Sequence, residues 1–327
     1  MLGKKREIIS NVFLFLITPN TRLPLLPQIS KCMPSWSSIL KDIDASADVQ
    51  RTLYRKRQEY FNTISSITGR NVIAYYSGWL KYPQAPNTSI NELDKNAFME
   101  VVYGLDRSRG LDIILHTPGG ELAATESIVT YLKRMFNNNI RAIIPQISMS
   151  AGTMMAMSCQ SIIMGEQSSL GPIDPQLGGI ACQAVLDEFK DAVKQISQEP
   201  ASLGLWQVII SKYDPTFLTA CQNAITWSGK LATQWLTEVN PNINVKKVLD
   251  AFFNHRHSFS HAKHMSKGEC KNAGLPIVDL ENDQNLQDAV LSLHHCFMIF
   301  FDKFLVSKAV ENQNGGSFIQ QFQQNRR

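Results

Sequence analysis

Two short stretches carry residues that could do chemistry. One is His116-Thr117-Pro118-Gly119-Gly120-Glu121-Leu122, and the other is Ser148-Met149-Ser150-Ala151-Gly152, inside QISMSAGTMMA. A serine on a strand-to-helix turn exposes its Oγ, and the first N–H groups of the helix point outward beside it with partial positive charge. That arrangement suits a hydroxyl nucleophile whose carbonyl target becomes an oxyanion. Gly152 permits a tight turn free of a Cβ clash. Gly119 and Gly120 bring bare amides toward the same point, where they can supply a second oxyanion donor. The two turns are 31 residues apart, one β-α crossover, so they should end side by side. Ser148 competes for the nucleophile's role because residues two apart in a strand share a face. Ser150 is preferred because it directly precedes Ala151-Gly152.

The elements needed to hold these turns are legible around them. LDIILHT (111–117) reads as an apolar strand, residues 121–138 as an amphipathic helix, IRAIIPQ (140–146) as a second strand, residues 153–159 as a short helix and SIIMG (161–165) as a third strand. This alternation predicts an α/β fold with a parallel sheet, right-handed crossovers and added helices. Reactive groups in such sheets gather at the carboxyl ends of the strands, where both turns fall. Upstream, residues 48–63 read as a helix and RNVIAYYSGWL as a strand. Ser89 is expected to cap a helix reaching about residue 104, with Glu92 completing a capping box. Downstream, residues 181–255 read as mainly helical with a break near Pro200–Gly204. Residues 266–274 read as a short helix, LPIVDL as a last strand and 284–310 as a long apolar helix. The tail from Asn312, rich in Gln and Asn, is expected to be disordered. The resulting division is 1–45, an N-terminal extension; 46–283, the catalytic-type domain; 284–311, a C-terminal helix; and 312–327, the tail.

Composition narrows the function classes. A 44% hydrophobic and 18% charged chain of 327 residues supports a sizeable core. A net charge of +4 with scattered Lys and Arg gives no nucleic-acid-binding stripe. The six cysteines (Cys32, Cys159, Cys182, Cys221, Cys270, Cys296) form no CxxC pair and fit reduced, buried thiols of a cytoplasmic protein. The apolar run IISNVFLFLI follows Lys4, Lys5 and Arg6 but is too short to span a membrane and lacks a small-residue cleavage site. It is read as a helix packing on the body or a partner, with peripheral membrane contact as the lesser reading. No dinucleotide fingerprint is present, and no cofactor is expected.

Residues from about 70 to 280 resemble the Clp protease/crotonase superfamily. HTPGGELAATESIV is similar to its strand-turn element and following helix, and ISMSAGTMMAMSC to the nucleophile turn of the Clp proteolytic subunit and of signal peptide peptidase A. SSLGPIDPQLGGI resembles the serine dehydrogenase proteinase family more particularly, and SKGECKNAGLPIV resembles an element near the end of the Clp core. The resemblance implies Ser150 as nucleophile, with the Ala151 N–H and the Gly119 and Gly120 amides as oxyanion hole. It implies a peptidase for peptides or unfolded or membrane-derived proteins, assembled as a ring or stacked-ring homo-oligomer. Helix 284–310 is then either an assembly surface or an internal core helix.

The general base is left open. Clp subunits place a histidine roughly 25 residues after the serine, but this chain has Gly171-Pro172-Ile173-Asp174-Pro175 there. Signal peptide peptidases use a buried lysine. Lys190, Lys194 and Lys212 are candidates, with Lys212 in IISKYDPTF preferred. The alternative lies in HRHSFSHAKH, which holds His255, His257, His261 and His264; His261 could be the base and Asp174 its orienter. Asp174 could equally be a loop-capping acceptor. His257 and His261 are spaced for a metal, but no acidic residue lies in the cluster and none is expected to bind. His116 is read as structural. Two other functions keep the fold: a crotonase-like acyl-CoA enzyme, against which the turn serine argues, and a scaffold that has lost its base.

Overall fold

The computed structural model describes residues 35–253 and 260–323. The chain begins with helices α1 (Trp36–Asp44) and α2 (Val49–Thr68), strand β1 (Asn71–Ser77) and helix α3 (Leu93–Val102). The central units follow: β2 (Leu111–His116), α4 (Leu122–Phe136), β3 (Ile140–Ile144), β4 (Ile147–Ser148), α5 (Ala151–Met157), β5 (Ser161–Met164) and β6 (Ser169–Leu170). A small hairpin, β7 (Gln176–Leu177) and β8 (Ile180–Ala181), leads into helices α6 (Cys182–Gln198), α7 (Leu203–Ile210), α8 (Phe217–Val239) and α9 (Val245–Phe252). The remainder is β9 (Met265–Ser266), α10 (Lys267–Ala273), β10 (Ile277–Asp279), α11 (Gln284–Lys303), β11 (Val306–Asn312) and β12 (Ser317–Gln321).

The main sheet has the order β10-β5-β3-β2-β1-β11-β12. The first five strands are parallel; β11 adds antiparallel to β1, and β12 adds antiparallel to β11. Its strands are almost continuously apolar because both faces are covered, as parallel sheets require. On one face Ile73, Tyr75, Ile113, Leu115, Ala142 and Ile144 share a core with residues of α3, α4, α5, α8 and α9. On the other, Val72, Ala74, Tyr76, Ile114 and Ile143 pack with α1, α2 and α11. Asp112, fully buried near the start of β2, is clamped by Arg70 and Arg141, each at 2.7 Å. The pair fixes the amino ends of three adjacent strands.

The α/β architecture and the central alternation agree with the sequence reading, but four expectations need correction. Helix α3 starts at Leu93, not after Ser89, and Glu92 makes no side-chain cap. Asn91 Oδ1 accepts from the Leu93 N–H instead, at 3.0 Å, while Asp94 turns inward to Lys308. The apolar helix beginning at residue 284 ends at Lys303, because from Val306 the chain switches to extended pairing with β1. It is an internal core helix, with Leu293, Phe297 and Phe301 fully buried. The tail from Asn312 turns over residues 313–316 and returns as β12 (Ser317–Gln321), paired with β11. Its amides are structural. Asn312 Oδ1 accepts from Asn314 and Gly316, both at 2.8 Å, and Gln313 Oε1 accepts from the Val72 N–H at 2.9 Å. Finally, Ile39 and Ile43 of the expected N-terminal extension are buried in the α2–α11 layer. The apolar run at residues 8–17 and Cys32 lie outside the described residues. Among those described, no helix is long and apolar enough to cross a membrane.

Candidate active site

Three two-residue strands do most of the positioning. β4 pairs parallel with β6, and β6 pairs antiparallel with β9, so that Ser148, Leu170 and Met265 lie in one row. The chain leaves β4 and reaches Ser150 two residues later. It leaves β6 and reaches Asp174 four residues later, and it enters β9 from His261, four residues before Met265. Since β9 runs opposite to the other two, all three residues lie off the same end of this small sheet.

Ser150 occupies the N-cap position of α5 with φ 51° and ψ −118°. A non-glycine residue held there costs about 1–3 kcal/mol and persists only where its surroundings dictate it. The surroundings are a closed set of backbone bonds. Met149 N–H donates to Thr117 O at 2.9 Å, Gly152 N–H to Met149 O at 2.8 Å and Met154 N–H to Ser150 O at 3.1 Å. Ser150 is partly exposed, whereas Ser148 is fully buried. Gly152 covers Ser148: a Cβ on Gly152 would stand 2.5 Å from Ser148 Oγ. Of the two serines competing in the sequence, only Ser150 reaches the surface.

The glycines of the neighbouring turn stand close against the Ser150 turn and against Ile90. Gly119 has φ 94°, and a Cβ there would lie 2.7 Å from Ser150 Cβ and 2.9 Å from Ala151 N. Gly120 lies against the backbone of Ile90, to which this turn is bridged by Ile90 N–H to Gly119 O at 2.8 Å and Glu121 N–H to Ile90 O at 2.9 Å. The Gly119 N–H donates to Thr117 Oγ1 at 3.1 Å. The N–H groups of Gly120 and Ala151 have no acceptor among the described residues. Ala151 is the first residue of α5, where helix geometry leaves the amide unpaired. The segment backing Gly120 is itself pinned. Lys308 Nζ donates to Ser89 O at 2.9 Å and to Asp94 at 2.7 and 2.8 Å, and Asp94 Oδ2 accepts from the Asn91 N–H at 2.9 Å. Burial pulls the Lys308 pKa below its ordinary value, against the opposing attraction of Asp94.

Asp174 is buried to 1% exposure, and its Oδ1 lies 2.9 Å from His261 Nδ1. The side chain of His261 is 25% exposed. With Nδ1 donating to the carboxylate, the lone pair sits on Nε2, the tautomer a general base needs. The Asp174 loop is anchored by Ile173 N–H to Phe252 O at 2.8 Å and by Cys182 N–H to Pro175 O at 3.0 Å. Ser150 Oγ makes no hydrogen bond to a described residue, and catalytic contacts often tighten only with substrate bound. His264 Nδ1 stands 3.5 Å from Ser169 Oγ. His255 and His257 lie outside the described residues.

The lysine candidates are not supported. Lys212 is exposed in the turn after α7, and Lys190 and Lys194 are exposed on α6. None has the desolvation that a lysine base requires. The reason is local. The apolar neighbours of Lys212 belong to α7, which buries no residue of its own: Leu205 and Val208 are 62% and 60% exposed. His116 is fully buried among Tyr76, Trp79 and His294, with ring centroids 4.5–5.3 Å away, and neither ring nitrogen has a hydrogen-bond partner among the described residues. Burial pushes its pKa well below 6.5, and that of His294 down to about 3, so both are neutral. The described cysteines are all buried free thiols, and burial raises Cys159, Cys270 and Cys296 to about 12. Two contributors had no signal in the sequence. They are the Thr117 hydroxyl behind Gly119 and the Thr153 hydroxyl behind Ser148.

A parallel α/β sheet that sets a serine turn against a glycine turn one crossover away is the frame of a ClpP-like protein. Residues 35–204 match the ClpP-like SDH-type serine proteinase family, and the chain belongs to it. Two proteins of Methanocaldococcus jannaschii, both described as uncharacterized, are similar in sequence. One is 32% identical over 117 residues, 36% of this chain and 38% of its own length. The other is 35% identical over 89 residues, 27% of this chain and 30% of its own length. The chain thus spans less than two-fifths of either relative.

Proposed function

We propose that this protein is a serine peptidase in which Ser150 is the nucleophile, His261 the general base and Asp174 the residue that orients it. The observation that carries the reading is the 2.9 Å bond between His261 and the buried Asp174, at the end of the small sheet from which Ser150 also emerges. Ser150 Oγ attacks the peptide carbonyl carbon while His261 Nε2 takes its proton. The oxyanion is held by the Gly120 and Ala151 N–H groups, with Gly119 giving the backbone its approach. His261 then returns the proton to the leaving amine, and water resolves the acyl-enzyme through the same base. The order along the chain is serine, aspartate, histidine, which accounts for the absence of a histidine shortly after Ser150.

The substrate is a peptide or unfolded polypeptide, acted on in a homo-oligomer. The apolar side chains displayed by α7 favour burial against a second copy of the chain. Sedimentation velocity at micromolar concentration should show a multiple of the 36.8 kDa protomer. The chemistry is tested with a fluorophosphonate probe and an unfolded protein substrate. Labelling and cleavage should vanish in Ser150→Ala and His261→Ala, and fall about 10⁴-fold in Asp174→Asn. An unlabelled wild-type oligomer that cleaves nothing would return the chain to a scaffold role. Thioester turnover independent of Ser150 would support acyl-CoA chemistry instead.

A further inference from the structure

Thr153 is fully buried on the first turn of α5 and cannot touch a substrate. Its hydroxyl nevertheless has two defined partners. Oγ1 donates to Ser148 O at 2.9 Å and accepts from the Gly171 N–H at 3.0 Å. The same Gly171 N–H also lies 3.2 Å from Ser148 O, which closes a three-membered polar cluster. Ser148 is two residues before Ser150, and Gly171 is three before Asp174. One side chain therefore ties the strand that presents the nucleophile to the loop that presents the acid.

We propose that Thr153 is a positioning residue whose hydroxyl sets the spacing between Ser150 and the Asp174–His261 pair. This rests on the reading of those three residues given above. The cluster has a property that separates positioning from folding. Without the hydroxyl, the Gly171 N–H still has Ser148 O, so no buried donor is orphaned. The β4–β6 pairing survives, while the third point that holds both segments at one distance is lost. A shift of the order of 1 Å between nucleophile and base reduces turnover by up to about 10²-fold. The alcohol can be restored without the β-methyl, so Ser at this position should keep both bonds.

The test uses the full-length protein in Thr153→Val, Thr153→Ala and Thr153→Ser forms. kcat and KM are measured on an unfolded protein substrate, with the fluorophosphonate labelling rate alongside. Thr153→Val and Thr153→Ala should lose about 10- to 100-fold in kcat and in labelling rate at unchanged KM. Thr153→Ser should stay within a few-fold of wild type. If Thr153→Val fails to fold, the comparison of Ala with Ser carries the same contrast. Wild-type kcat in Thr153→Ala, or equal loss in the Ala and Ser variants, overturns the proposal. A wild type that no probe labels refutes the peptidase reading itself, a result distinguishable from either.

Discussion

The buried histidines make a quantitative prediction about acid stability. His294 is 7% exposed, accepts or donates one bond with Tyr76 Oη at 3.3 Å, and faces the rings of His116 and His295. Burial first, and the neighbouring His295 second, hold its folded pKa at about 3 against an unfolded value of 6.5. The folded state therefore refuses a proton that the unfolded chain accepts below pH 6.5. The stabilising contribution is complete above that pH and is lost as pH falls. The slope is about 1.4 kcal/mol per pH unit per histidine, so His294 alone should remove about 2 kcal/mol between pH 7 and pH 5. His116, lowered in the same direction, steepens the wild-type profile further. The perturbation is His294→Gln, which keeps a partner for Tyr76 and cannot titrate. Reversible urea unfolding would be followed at pH 7, 6 and 5. The variant, whatever its stability at pH 7, should lose about 2 kcal/mol less than wild type on going to pH 5. Parallel profiles for the two proteins would refute the assignment of a neutral buried imidazole to this position.

Other predictions follow from single contacts. Gly119→Ala places a methyl 2.7 Å from both Met149 O and Ser150 Cβ at φ 94°. It should reduce fluorophosphonate labelling by at least about 10²-fold, equivalent to one lost oxyanion donor. Ser150→Gly removes the proposed nucleophile and also a strained non-glycine residue at φ 51°, so thermal unfolding should show a gain of about 1 kcal/mol. Arg57 and Glu311 form a buried two-bond pair at 2.8 and 2.9 Å, with the guanidinium 4.4 Å from the Phe300 ring centroid. Glu311→Gln should cost about 3–5 kcal/mol in urea unfolding, because it strands a buried cation. Lys212→Ala should leave the labelling rate at the wild-type value, since its side chain stands in an exposed turn.

What was legible in the sequence is local. The β2–α4–β3 unit follows from periodicity, and the Gly119 and Ser150 turns follow from residue types whose backbone demands are unusual. His261 and Asp174 could be nominated but not chosen, because their meeting depends on β6–β9 pairing between distant segments. Lys212 was misleading for a reason that hydropathy cannot detect: apolar residues around it are on display instead of in a core. The C-terminal strand was hidden by its composition. Asn312, Gln313 and Gln320 read as polar tail residues, yet all three are buried, and Asn312 and Gln313 serve the turn and the amino end of β1. Thr153 had no sequence signature at all, since a buried threonine in a helix is ordinary until its two partners are known.

The small β4-β6-β9 sheet has a consequence for when activity can arise. Its first two strands and the Ser150 turn are complete by residue 174, but His261 and β9 arrive only after α6 to α9 have been made. A ribosome-bound chain stopped anywhere before that point has a nucleophile turn and no base beside it. Pairing across so long a separation is also slow relative to local helix and turn formation. If Ser150 and His261 act as proposed, activity should arise only once the segment from His261 onward has been made and docked.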